Sequence, residues 1–368
     1  MNIVVTGGDG FLATHTQLFF YEKIKAGTVH LKTLSRNDFN NDDILHESLR
    51  DAELILHFAG INRGTDNELE QGNIALAERL AHFHAVSQSQ AHIIYSSSTH
   101  ENRDTAYGRG KKQAGELLLK HGASAHSRTT VCVLPNMFGE FAKPRYNSVV
   151  ATFCDDIASG RESEINPDGA TELLYVQEAI ARMVNIFETG LIGKVLAEGS
   201  VWSIPDLYSL LSKFNSVYRT GEFPDTSSML ELHLFNTLHS FLFDTLFPLP
   251  LTPRSDDRGT LFEMVRSGRK DQVFYSSTKP GKVRGEHYHA RKMERFCVVS
   301  GDGEIAVRRL LTDHICVFKV SGANPVVIDM PTFYAHNLRN TGDNDLTAIF
   351  WISEQFNPEA PDTFSEKV

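Results

Sequence analysis

Cysteine is scarce, with four in 368 residues. Cys132, Cys154, Cys297 and Cys316 show no C-x-x-C spacing, which excludes a disulfide framework and argues against a thiolate metal site. Long apolar runs are missing. The most apolar stretch, residues 230–251, is broken by Glu231, His233, His239 and Asp244 and ends in Pro248 and Pro250. Nothing supplies the roughly 20 apolar residues that cross a bilayer. Positive charge is in deficit: 36 Lys plus Arg stand against 46 Asp plus Glu, a net charge of −10. That balance disfavours a surface for nucleic acid or anionic lipid but leaves room for a small anion in a local pocket. Repeats and low-complexity tracts are absent. With 41% hydrophobic and 22% charged residues, the chain is globular, not disordered, fibrous or coiled-coil. Its opening, Met-Asn-Ile-Val-Val-Thr, has no basic segment and reads as a strand, not a signal peptide. A cytoplasmic location is expected.

The first third alternates strand-like and helix-like stretches. Strands are expected at residues 2–6, 29–34, 54–58, 91–95 and 129–134, and helices from residue 11, at 68–84 and at 107–120. That alternation predicts βαβ units and a parallel sheet. Near residue 246 the character changes. Phe247-Pro-Leu-Pro-Leu-Thr-Pro253 resembles a linker, and short alternating strands follow, with turns at Gly301-Asp-Gly303 and Thr341-Gly-Asp343. The expected architecture is an α/β Rossmann-like domain over 1–246 and an all-β sandwich or barrel over 247–368.

Thr6-Gly7-Gly8-Asp9-Gly10-Phe11-Leu12-Ala13 lies between the first strand and the first helix. Glycines there let backbone N–H groups approach a pyrophosphate at the positive end of a helix. Arg36, just past the second strand, suits a 2′-phosphate and favours NADPH over NADH. Tyr107-Gly-Arg-Gly-Lys111 puts a phenol and an ammonium on one helical face, and the cation is expected to favour the phenolate. Ser98 ends the preceding strand. These residues resemble the extended short-chain dehydrogenase/reductase family. The resemblance covers residues 1 to about 240. It implies that Gly7, Gly10, Phe11, Leu12, Ala59, Gly60 and Lys111 hold the cofactor, and that Ser98, Tyr107 and Lys111 form the catalytic group. Leu134-Pro-Asn136-Met-Phe-Gly139 resembles the segment between nicotinamide and substrate, with Asn136 facing the substrate. Only eight residues separate Ser98 from Tyr107, a short loop for that family.

The richest motif is Gly281-x5-His287-x-His289-x4-Glu294-x6-Gly301. On a strand, His287 and His289 share one face while Tyr288 points away. A turn through Arg291-Lys292 must bring Glu294 round to them, and His336 adds an imidazole from later in the sequence. Three imidazoles and one carboxylate suit a divalent transition metal. The spacing resembles the two motifs of the cupin superfamily of small β-barrels, with Phe333 standing at a usual glycine position. Asp257-Arg-Gly-x-x-Phe262-Glu263 and Arg284-Gly-x-His287-Tyr288 resemble segments of sugar-nucleotide 3,5-epimerases. There the matching His is a base, a role that a metal-ligating His287 cannot freely fill. Lys292, Tyr288 and Tyr334 are alternative bases.

The whole arrangement resembles the bifunctional capsular polysaccharide synthesis enzymes of the CapF type. The residues that carry this are Tyr107-Gly-Arg-Gly-Lys111, Lys143-Pro-Arg-Tyr-Asn-Ser-Val-Val-Ala-Thr-Phe-Cys154 and Gly285-Glu-His-Tyr-His-x-Arg-Lys292. The resemblance implies that the cupin epimerises carbon 3 of UDP-2-acetamido-2,6-dideoxy-4-hexulose. The reductase then reduces carbon 4 with NADPH to UDP-2-acetamido-2,6-dideoxy-L-talose, on the way to UDP-N-acetyl-L-fucosamine for capsule or O-antigen. It also implies Zn2+ (Fe2+ as the alternative) and a homodimer. Two rivals stand beside it: an NADP-binding sensor with no turnover, which would not need the Tyr/Lys pair, and an iron-dependent dioxygenase.

Overall fold

The structure is a computed structural model and describes residues 1–251, 254–256, 259–261, 271–354 and 357–368. It divides into two compact units, residues 1–143 with 168–204 and residues 144–167 with 205–368.

The first unit begins with β1 (Asn2–Thr6), α1 (Phe11–Lys25), β2 (His30–Leu34), α2 (Arg36–Asn40), α3 (Asp42–Arg50), β3 (Leu54–His57) and α4 (Asp66–Val86). Next come β4 (His92–Ser98), a 3-10 turn (Thr99–Asn102), α5 (Ala106–Ala125), β5 (Thr129–Leu134) and β6 (Asn136–Phe138). After α6 (Val149–Ser159), which belongs to the other unit, come β7 (Ala170–Tyr175), α7 (Val176–Thr189), β8 (Gly193–Leu196) and β9 (Ser200–Ser203). Six strands form a sheet in the order β2-β1-β3-β4-β5-β8, every pair parallel. Alternate residues of each strand enter separate cores. Ile3, Val5, Leu54, Leu56 and Ile94 pack with residues of α1 and α7, whereas Val4, Ile55, Ile93, Tyr95 and Val131 pack with residues of α3, α4 and α5. Burial on both faces explains why these strands are apolar throughout. The order reverses between β1 and β3, which opens a crevice at their carboxyl ends.

The second unit holds α6, α8 (Ile204–Arg219), α9 (Met229–Leu246) and the β-strands. These are β10 (Leu249–Pro250), β11 (Arg254–Asp256), β12 (Gly259–Leu261), β13 (Gln272–Thr278), β14 (Val283–Tyr288), β15 (Glu294–Ser300) and β16 (Asp302–Arg309). They are followed by β17 (Ile315–Ser321), β18 (Val326–Met330), β19 (Tyr334–Asn340), β20 (Leu346–Ile352) and β21 (Phe364–Ser365). Two five-stranded antiparallel sheets result, β10-β18-β15-β20-β13 and β17-β16-β19-β14-β21, beside a β11-β12 hairpin. The proline-rich stretch expected as a linker contributes β10, which pairs with Val326 and Val327.

Helices give way to strands after Leu246, but the compact units do not divide there: α8 and α9 group with the strands and not with residues 1–143. Arg295 on β15 explains the grouping. Its guanidinium makes a two-pronged bond to Asp329 on β18 (2.7 and 2.9 Å) and donates to the Gly221 carbonyl. Both side chains are essentially sealed from solvent. Trp351 on β20 lies 3.8 Å from the Phe223 ring. The outward face of β15 is therefore as buried as the inward one.

Candidate functional sites

The first site lies at the mouth of the crevice. Gly7 sits at φ +73°, and a Cβ there would stand 2.9 Å from the Ala59 N. Only glycine allows this approach of two backbones. Thr6 binds the two strand ends together, with its hydroxyl 2.7 Å from His57 Nδ1 and accepting from the Ala59 N–H at 3.2 Å. Gly10 caps α1 with no side-chain bond, and Phe11 and Leu12 are half-buried. The first amides of α1 are thus left for another acceptor. Arg36 is exposed at the start of α2 and makes no hydrogen bond or ion pair among the described residues. The neighbouring carboxylate, Asp38, is held by Ser35 in a capping box.

Strand β4 continues through the serine run that the sequence places after it, and the 3-10 turn fills the short loop to α5. The two glycines between Tyr107 and Lys111 have a packing cause. A Cβ on Gly108 would lie 2.4 Å from the His100 carbonyl, and one on Gly110 would lie 2.6 Å from the Leu69 carbonyl. The helix is thereby pressed against the turn and against α4, which sets Tyr107 and Lys111 beside β4. The Ser98 hydroxyl accepts the His100 N–H at 3.2 Å and lies near enough to the Tyr107 phenol to lower its pKa. Ser97 faces away and donates to buried Glu101 at 2.5 Å, so Ser98 is the serine that meets the phenol. Asn136 on β6 donates to Thr171 at 2.8 Å. Gly60 lies next to Lys111, whose Nζ would be 3.7 Å from a Cβ there.

The electrostatics differ from expectation. Burial pushes the Tyr107 phenol above its ordinary pKa, opposed by the nearby Ser98 hydroxyl. Lys111 is not what sets it. The ammonium sits 4.3 Å over the Tyr95 ring, makes no hydrogen bond among the described residues, and is drawn down to about 7 by burial, against the pull of Glu101. Glu101, Tyr95, His57 and Asn73 were missed by sequence reasoning. Glu101 alone carried a usable signal, its spacing from the serine run.

The second site lies between the two five-stranded sheets. Its ligand atoms on His287, His289, Glu294 and His336 all fall within 4.8 Å of one another. Glu294 Oε2 is 3.7 Å from His287 Nε2, 3.3 Å from His289 Nε2 and 3.0 Å from His336 Nε2. Backbone carbonyls orient two of the rings, Asp362 O at His289 Nδ1 (2.5 Å) and Tyr334 O at His336 Nδ1 (3.1 Å). Each ring therefore directs its Nε2 at the carboxylate. Both His287 Nε2 and His289 Nε2 are buried without a well-aligned hydrogen bond. Buried, converging N and O donors of this kind fit a divalent cation. The three imidazoles hold the Glu294 carboxyl well below its usual range despite the opposing effect of burial.

The turn that carries Glu294 round is built by Asp362. Its carboxylate accepts the N–H groups of Ala290, Arg291 and Lys292 at 2.9–3.1 Å. No pattern in the sequence joins residues this far apart. Phe333, at the usual glycine position, takes φ +63° and donates its N–H to the His289 carbonyl at 2.7 Å. Tyr288 points away and stacks on Phe364. Lys292 is buried with its ammonium on the Pro361 carbonyl, and the Tyr334 ring lies 5.0 Å from Phe243. Asp257, Arg258, Phe262 and Glu263 of the epimerase-like segment lie outside the described residues.

Residues 3–196 match the NAD dependent epimerase/dehydratase family, and residues 254–364 match the polysaccharide biosynthesis C-terminal domain. A UDP-2-acetamido-2,6-beta-L-arabino-hexul-4-ose reductase of Pseudomonas aeruginosa is 28% identical over 370 residues, covering 99% of this chain and 98% of its own. The crystal structure of the capsular polysaccharide assembling protein CapF from Staphylococcus aureus covers 100% of both chains, at 30% identity and a TM-score of 0.63. The spore coat polysaccharide biosynthesis protein SpsL of Bacillus subtilis is 28% identical over 122 residues, which are 30% of this chain and 81% of its own.

Proposed function

The chain belongs to the NAD-dependent epimerase/dehydratase family and, over its whole length, to the CapF type of capsular polysaccharide enzymes; from that premise we propose that its two sites act in turn on one UDP-linked 4-keto sugar. The barrel, residues 247–368, inverts carbon 3 of UDP-2-acetamido-2,6-dideoxy-4-hexulose. The nucleotide-binding part, residues 1–246, then reduces carbon 4, giving UDP-2-acetamido-2,6-dideoxy-L-talose. The name of the Pseudomonas relative, a hexul-4-ose reductase, supports the substrate class.

The ketone serves both steps. It acidifies the neighbouring C–H, so that a base can form an enolate and an acid can return the proton to the other face. It is also the group that accepts hydride. When bound, NADPH supplies that hydride, and Arg36 favours its 2′-phosphate. Gly7, Gly10, Phe11, Leu12, Ala59 and Gly60 cradle the cofactor. Ser98 orients the carbonyl oxygen. Tyr107 gives its proton to that oxygen, and its raised pKa suits a donor that must stay protonated at neutral pH. The Lys111 ammonium then stabilises the phenolate left behind. Asn136 borders the substrate. In the barrel, His287, His289, Glu294 and His336 would hold a divalent cation, zinc by resemblance, which supplies Lewis acidity and rigidity there. A cytoplasmic homodimer completes the reading.

The observation that carries this proposal is the placement of Ser98, at the carboxyl end of a parallel strand, beside Tyr107 and the buried Lys111 ammonium of the following helix. The test is NMR of the product formed from the keto-sugar in heavy water, with and without NADPH. Deuterium at carbon 3 without NADPH, and a 4-hydroxy sugar with it, are expected. Binding of both compounds with no change in either would overturn the enzyme reading in favour of a sensor. Dominant iron with oxygen uptake would favour the dioxygenase.

A further inference from the structure

We propose that Glu101 is a positioning residue of the reductase site: its buried carboxylate, held by Ser97 and Lys194 on the face of β4 that also bears Tyr95, sustains the charge of the Lys111 ammonium seated on that ring. The inference rests on the reductase reading of that site.

Glu101 lies in the 3-10 turn that replaces a longer loop between Ser98 and Tyr107. Its side chain is 2% exposed. Carboxylates are almost never buried so deeply unless paired. One partner is Lys194 on β8, an ion pair to a side chain that is half exposed. Surface pairing with a flexible lysine does not by itself require the carboxylate to be inside. The second partner is the Ser97 hydroxyl at 2.5 Å. Next along is Tyr95, whose hydroxyl is buried without a partner and whose ring carries the Lys111 Nζ at 4.3 Å. Tyr95 and Ser97, two residues apart on β4, share one face of the strand, so a negative side chain on Ser97 and a positive one on Tyr95 sit inside the protein along the same face.

Groups reach Lys111 from each neighbouring element. Tyr95 from β4 lies under the ammonium, and His57 from β3 and Glu101 from the 3-10 turn act on it electrostatically, with Tyr107 one turn back on α5. Glu101 is the carboxylate among them. His57 and Tyr95 stay neutral, since burial lowers the first to about 3 and raises the second well above its ordinary value. Burial draws Lys111 down to about 7, and Glu101 opposes that. Without the carboxylate, the ammonium would lose its proton at a lower pH and Tyr107 would lose the cation that stabilises its conjugate base. Ser97 thereby acquires a role distinct from that of Ser98.

The experiment uses full-length protein with 13C-labelled lysine. The Lys111 ε-methylene signal is assigned by its loss in Lys111→Met and titrated by NMR without cofactor. Glu101→Gln should lower its midpoint by about one pH unit, the lower end for loss of one nearby opposite charge. Lys194→Met should raise it, because a competing cation is removed. Reduction should follow, with Glu101→Gln losing about tenfold in kcat at pH 8 but about twofold at pH 6. An unchanged Lys111 midpoint in Glu101→Gln, or an equal loss of kcat at every pH, would overturn the proposal. If Glu101→Gln does not fold, Lys194→Met decides alone: an upward shift supports the role, and no shift or a downward one removes it. A parent enzyme that never reduces the keto-sugar would sink the reductase reading, while the titration still reports on Glu101.

Discussion

The two sites are built by opposite means. In the first, backbones approach each other: Gly7 against Ala59, Gly108 against the 3-10 turn, Gly110 against α4. The side chains at its mouth, Arg36 and Lys111, have no hydrogen bonds of their own among the described residues. In the second, side chains converge, and their orientation is already fixed by the Asp362 and Tyr334 carbonyls. A site made of backbone cavities with uncommitted cations suits a large anionic cofactor that comes and goes. A buried, pre-oriented set of donors suits an ion that stays.

The contrast breaks most sharply at Tyr107. Tyr107→Phe should cut reduction by about 10³-fold while deuterium still enters carbon 3 from heavy water. Loss of both activities would mean the sites are not separate. Glu294→Ala should do the reverse, lowering the affinity for the metal by at least about 100-fold, since a ligand matters no less than the groups that orient it. Metal analysis after dialysis measures this, and NADPH binding should be untouched. A third substitution sharpens the picture of the open site. Arg36→Asp should weaken kcat/KM with NADPH by about 10–100-fold, the worth of charge-assisted hydrogen bonds to one phosphate, and should improve NADH. Equal effects on both cofactors would place Arg36 elsewhere.

The last effect concerns stability and not activity. The folded-state pKa of Lys111, about 7, lies below its ordinary 10.5. The cost of burying this amine is therefore complete below about pH 7 and fades as pH rises to 10.5. Lys111→Met should make the cofactor-free protein more stable by roughly 4 kcal/mol at pH 7, with the advantage gone near pH 10.5. Denaturant melts at several pH values check it, and an advantage independent of pH would refute it.

The sequence spoke clearly where a motif is local. The glycine turn, the Tyr–Lys spacing and the His-x-His pair each lie within one element or junction, and periodicity delivered the parallel sheet and the β-module. It was silent where partners are distant. Asp362 shapes the turn before Glu294 from some 70 residues away, and Arg295 looks like one more strand residue until Asp329 and Gly221 surround it. The expected lowering of Tyr107 by Lys111 is outweighed by burial in the cofactor-free protein, for a related reason. Helical spacing places the two side chains on one face, but the ammonium's height is set by Tyr95 on another element.

The knot of Arg295, Asp329 and Gly221, with Trp351 against Phe223, has a practical bearing on dissecting the chain. The family match begins at residue 254, which invites cloning of the strands alone. Such a fragment would lack α8 and α9, leaving an indole and a sealed ion pair facing water. Anyone wanting the barrel by itself must either carry the helical pair along or first repaint that wall with polar residues.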